Sequence, residues 1–118
     1  MERLDFEALV LEVLEAVPEE FRRKMENVEI LVQDRPDETI RLKGKRIPPS
    51  HLLGLYQGVP MSKRGIYYSA ALPDRIVLYQ KAIESTCRNR EDIKRAVKEV
   101  IIHEIGHHFG LSENELAG

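Results

Sequence analysis

Near the start of the chain apolar residues recur at three- and four-residue intervals: Phe6, Leu9, Val10, Val13, Leu14 and Val17. The spacing predicts an amphipathic helix over residues 6–17, with Asp5 as N-cap and Pro18 as terminator. Glu19 to Glu26 reads as a second short helical segment. The run Val28-Glu29-Ile30-Leu31-Val32 has the length and β-branched content of a strand. Between Arg41 and Gly65 stand Gly44, Pro48, Pro49, Gly54, Gly58 and Pro60, so loops with short strands are expected there. Ile66-Tyr67-Tyr68 and residues 75–80 predict two further strands, on either side of the turn Leu72-Pro73-Asp74. From Glu91 and Asp92, acids suited to a helix N-terminus, the chain runs to Phe109 without proline and meets Gly110 where a C-cap glycine belongs.

With 118 residues, 42% hydrophobic and 32% charged, the chain has the composition of one globular domain over residues 1–118. Its 18 basic and 20 acidic residues nearly cancel, which argues against binding nucleic acid or anionic membrane by bulk charge. Their distribution is uneven. Residues 1–40 hold 5 basic and 12 acidic, residues 41–98 hold 13 and 4, and residues 99–118 hold 0 and 4. Cys87 stands alone, so neither an intrachain disulfide nor a thiolate zinc finger is available, and any metal must be held by His and carboxylates. Aliphatic runs such as Ala8-Leu9-Val10-Leu11 are too short to span a bilayer, and the acidic start does not read as a signal peptide. A cytoplasmic protein with no membrane partner is expected. Few amides and many Glu and Arg also resemble thermophile composition.

The last helix contains His103-Glu104-Ile105-Gly106-His107, an H-E-x-x-H motif. At about 100° per residue, His103 and His107 stand about 40° apart on one face, with Glu104 about 60° beyond His107. With Ile93 set at zero, Val97 and Val100 fall within about 40° and the polar trio within about 80°. The trio therefore continues the core-facing stripe, and with Ile101, Ile102, Ile105 and Phe109 on other sides the helix is expected to be wrapped by protein on most of its faces. Buried His and Glu need partners, and a metal ion supplies them. A chance H-E-x-x-H in a chain of this length arises on the order of once in several hundred sequences, the alternative being two histidines satisfied by core hydrogen bonds. Catalytic zinc takes three protein ligands and leaves one position to water. Gly110 permits the turn that would bring Glu113 back toward the ion. The spacing H-E-x-x-H-x-x-G-x-x-E then parallels the metzincin order with Glu113 as third ligand, Glu115 being the substitute.

His103-Glu104-Ile105-Gly106-His107-His108-Phe109-Gly110, together with residues 52–60 and 72–79, resembles the small bacterial zincin-like metallopeptidases over nearly the whole chain. The resemblance implies an α+β fold, a minimal zincin: a small mixed β-sheet packed on helices, with Zn²⁺ on the helix at the C-terminal end. The family's pattern has Asp where this chain has Glu113, a departure of one methylene. The expected activity is hydrolysis of a peptide or protein substrate, with water activated by zinc on His103, His107 and Glu113, and with Glu104 as general base. One rival is a metal-dependent endoribonuclease of the rRNA-maturation type, whose H-x-x-x-H-x-x-G-x-x-H pattern lacks Glu after the first His; Glu104 favours peptide hydrolysis, and nucleic acid is not the expected partner. Another is a non-catalytic zincin fold that binds metal or peptide.

The other chemistry-bearing residues are read as structural. Tyr56, Tyr67, Tyr68 and Tyr79 are candidates for oxyanion stabilisation, each better explained by packing. His108 points about 100° from His107, His51 suits the surface, and Cys87 suits a partly buried position. Arg41-Leu42-Lys43-Gly44-Lys45-Arg46 reads as a solvated basic loop. Residues 76–79 read either as a strand that pairs with a peptide or as a central buried strand. Only five residues follow Glu113, which predicts an open, shallow site with weak activity on unselected peptides or dependence on a dedicated partner.

Overall fold

The computed structural model describes residues 1–36, 40–42, 45–47, 52–58 and 74–109, with backbone alone at 40–42, 45–47 and 108–109. Helix α1 spans Arg3–Ala16 and buries Phe6, Leu9, Val10 and Val13. It begins two residues before the expected cap: Glu2 is the N-cap and makes no side-chain cap bond, and Asp5 lies in the first turn, where its charge faces the positive end of the helix. Val17 is extended and Pro18 opens α2, Glu19–Lys24, which turns Phe21 into the core.

Strand β1, Val28–Gln33, runs parallel to β5, Asp74–Tyr79, and β4, Gly54–Gln57, runs antiparallel on its other side, giving the order β1-β5-β4. Ile30 faces Ile76 and Tyr56 faces Ile76 across the two ladders. Strand β5 is thus central. Ile76 and Leu78 point into the helix-covered cluster, while Val77 and Tyr79 join Leu52 and Ala82 on the opposite face. Burial on both faces explains its unbroken apolar run, and pairing on both edges removes residues 76–79 as a strand for an incoming peptide. The basic segment is a ribbon rather than a loop: β2, Ile40–Leu42, pairs antiparallel with β3, Lys45–Ile47. The expected strand at 66–68 lies outside the described residues.

A short helix α3, Gln80–Glu84, follows β5 directly. The strand stops at Tyr79 because the chain turns there: Lys81 N–H donates to Asp34 C=O at 3.0 Å, and Gln80 goes inward, 4% exposed. Five residues are too few to show a helical period, so Gln80 reads as strand in the sequence. Cys87 is half-buried after α3. Helix α4, Arg90–Phe109, opens on a reciprocal cap in which Asp92 N–H donates to Asn89 Oδ1 at 2.9 Å and Arg88 N–H to Asp92 Oδ2 at 3.1 Å. It buries Ile93, Val97, Ile101 and Ile105 against α1 and the sheet. No helix among the described residues is long and apolar enough to cross a membrane.

Candidate metal centre

The i, i+4 row Ile93-Val97-Ile101-Ile105 decides how α4 presents its polar residues. Because that row drifts about 40° per step, its centre lies about 60° round from Ile93. Glu104 then falls within about 40° of the centre, whereas His107 and His103 stand about 100° and 140° away. The exposures follow: Glu104 is half-buried, and both histidines are exposed. The expectation of a polar trio sunk in the core-facing stripe, on a helix wrapped on most faces, is corrected for the imidazoles. They lie on the solvent side of the boundary.

The two rings are 5.9 Å apart between centroids and nearly perpendicular, at 77°. One ion reaches both from that spacing, and neutral imidazole is a ligand that zinc prefers. Glu104 is held differently. Its Oε2 accepts the backbone N–H of Tyr56 at 3.3 Å. Residues 53, 55 and 57 of the β4 segment turn toward β5, as the bond from Tyr79 N–H to Leu53 C=O (3.0 Å) shows, so Tyr56 N–H points out of the sheet edge. The carboxylate thus caps an edge-strand donor. Burial pushes the Glu104 carboxyl above its ordinary range, opposed by the Tyr56 bond and by the fields of His107 and His103.

Sequence reasoning missed the strand half of this arrangement. Gly54 packs β4 onto α4: a Cβ there would collide with Val100 Cγ1 and sit 3.1 Å from Val77 C=O. A glycine inside a short strand is the signal for such an approach. Tyr56 Oη donates to Asp74 Oδ2 at 2.8 Å across the ladder, so its hydroxyl is committed to β5. Tyr79 is buried in the second cluster. Tyr67, Tyr68, His51, Glu113 and Glu115 lie outside the described residues, as does the side chain of His108. Among the described residues no third His, Cys, Asp or Glu joins the histidines. His103 and His107 fit zinc as two of its three protein ligands.

A search of curated proteins finds no match. Among solved structures, a conserved hypothetical protein from Thermo thermophilus is similar at 26% identity, with a TM-score of 0.60 over 92% of this chain and 94% of that one. The zincin-like metallopeptidase family matches residues 25–118, a span that holds the whole sheet and the helix with both histidines and Glu104. By that match over most of its length, the chain belongs to the zincin-like metallopeptidase family.

Proposed function

We propose that this protein is a zinc-dependent metallopeptidase in which His103, His107 and Glu113 hold the ion and Glu104 is the general base. The observation that carries the reading is the contrast on one helix turn: two exposed imidazoles 5.9 Å apart beside a half-buried carboxylate anchored by an edge-strand N–H. A zinc ion bound there would supply a Lewis acid for the scissile carbonyl and a water acidic near about pH 7. Glu104 Oε accepts the proton of the attacking water and returns it to the leaving amine nitrogen. Among the described residues β4 pairs only with β5, and the Glu104 carboxylate lies beside its outer side at Tyr56, so a peptide extended along that side would pass the site. We infer a cytoplasmic setting, where the single thiol of Cys87 stays reduced.

The test is a zinc-loaded protein assayed in parallel on a peptide library and on single-stranded RNA. Peptide cleavage that is lost in Glu104→Gln with zinc content unchanged supports the reading. Equal cleavage by the variant, or activity on RNA alone, overturns it. A Glu113→Ala variant with unchanged zinc affinity would move the third ligand to Glu115 or water.

A further inference from the structure

Tyr56 meets Glu104 with its backbone and Asp74 with its hydroxyl, so one residue links the candidate base to the central strand. The register explains the reach. Tyr56 stands opposite Ile76, and Asp74, two residues before Ile76, is its diagonal neighbour on the same sheet face. Such diagonals span about 7–8 Å in an antiparallel pair, which a long aromatic side chain bridges. The face is the one the helices cover: Ile76 is buried there, and the Tyr56 ring packs against the same cluster. At 2.8 Å the Oη to Oδ2 bond has an ordinary hydroxyl length.

The two ends of this link differ in how firmly they are held. Asp74 is fixed, because its N–H donates to Asn27 C=O at 3.0 Å and β5 is paired along both sides. Tyr56 lies one residue from the end of a four-residue strand. The ladder bonds of residues 55 and 57 set its distance from β5, and what they constrain least is a roll of β4 about its own axis. That roll swings the Tyr56 N–H, whose bond to Glu104, at 3.3 Å, is long for an N–H to oxygen contact. A side chain stands roughly perpendicular to its sheet, so one tied at the tip is a lever that stops the roll. Gly54 fixes how near β4 lies to α4; the tethered ring fixes how Tyr56 faces Glu104.

We propose that Tyr56 and Asp74 are positioning residues: the bond from Tyr56 Oη to Asp74 Oδ2 holds the Tyr56 N–H against Glu104 and so fixes where that carboxylate stands. Neither side chain touches the reacting atoms. Glu104 turns on several torsions, and a general base must stand within hydrogen-bond reach of the proton it takes. A misplacement of about 1 Å can cost a reaction about a hundredfold, so a donor held still by the central strand sharpens the aim of the base. The catalytic consequence rests on the metallopeptidase reading; the hold on the amide rests on the two hydrogen bonds alone.

The experiment follows the Tyr56 amide of the labelled full chain by NMR in Tyr56→Phe, Asp74→Ala and Asp74→Asn, each with and without Glu104→Gln. Tyr56→Phe keeps the ring and loses the donor; Asp74→Asn keeps an acceptor oxygen that Asp74→Ala removes. In the parent, Glu104→Gln shifts the Tyr56 resonance, because a charged acceptor becomes a neutral one. That shift should be largely lost in Tyr56→Phe and Asp74→Ala and kept in Asp74→Asn, and Tyr56 amide exchange should quicken about fivefold or more in the first two. On zinc-loaded protein the same two variants should show kcat on peptide lowered about tenfold with KM and zinc content unchanged, and the double variant should be no slower than either. Should Asp74→Ala unfold, Tyr56→Phe set against Asp74→Asn decides. A Tyr56→Phe amide that exchanges and responds like the parent's overturns the proposal. So does Asp74→Asn failing as fully as Tyr56→Phe, or an unchanged kcat in Tyr56→Phe when the parent cleaves. If the parent cleaves no peptide, the metallopeptidase reading fails on its own, and the amide measurements still uphold or overturn the hold of Asp74 on Tyr56.

Discussion

Glu104 keeps its proton more tightly in the folded protein than in the unfolded chain, because burial outweighs the Tyr56 bond and the two imidazole fields. Such a group adds stability below its unfolded pKa and loses that contribution as pH rises through the folded value. Ionised at neutral pH, it opposes folding. Metal-free Glu104→Gln should therefore melt above the parent at pH 7, with the difference closing below about pH 4, as calorimetry across that range will report. The histidines predict the opposite pattern. Both are exposed, so His103→Ala and His107→Ala should each leave metal-free stability within about 0.5 kcal/mol of the parent. Each should lose stoichiometric zinc, measured on protein passed through a desalting column. A variant that kept zinc would show that its imidazole is not a ligand.

The contact between β4 and α4 sets the distance from Tyr56 N–H to Glu104, and Gly54 sets that contact. Gly54→Ala must displace Val100 or push β4 off the helix, at a cost of about 1–3 kcal/mol. A lowered urea midpoint together with faster exchange of the Tyr56 amide is the expected result; an unchanged amide would mean that Val100 alone moves. The start of α4 depends on a different device. Asn89 and Asp92 cap one another's neighbourhood through two backbone bonds, and Asn89→Ala should cost about 1 kcal/mol by the same denaturation assay. This helix was legible in the sequence because 20 residues give the apolar period room to show. Its register toward the core was not, because the wheel centred on Ile93 misses the drift of the row through Ile105.

Across the whole molecule, the first turn of α1 is tied to the far end of the sheet by a polar hub. Gln80 receives Arg3 Nε at 2.8 Å and donates to Met1 C=O at 2.8 Å and to Glu84 at 3.1 Å, and Arg3 also pairs with Asp34. Gln80→Leu would strand these partners and cost about 1–3 kcal/mol. Exchange should quicken at the start of α1 while zinc affinity holds, since the hub sits at the Tyr79 end of β5 and the centre at the Asp74 end. Loss of zinc in this variant would reveal coupling along β5.

Local pattern alone determined the helices α1, α2 and α4, the strands β1 and β5, and the H-E-x-x-H pair of imidazoles, because each rests on interactions within a few residues or on a period along one element. The resemblance of residues 52–60, 72–79 and 103–110 carried the family, and the match over residues 25–118 bears it out. Tertiary structure alone decided what depends on residues far apart in the chain. The bond between Tyr56 and Glu104 joins positions separated by 48 residues, and no periodicity within β4 or α4 foretells it. The same holds for β5 as the central strand and for the inward turn of Gln80. A sequence specifies which faces seek burial; which face meets which neighbour is settled when the elements pack.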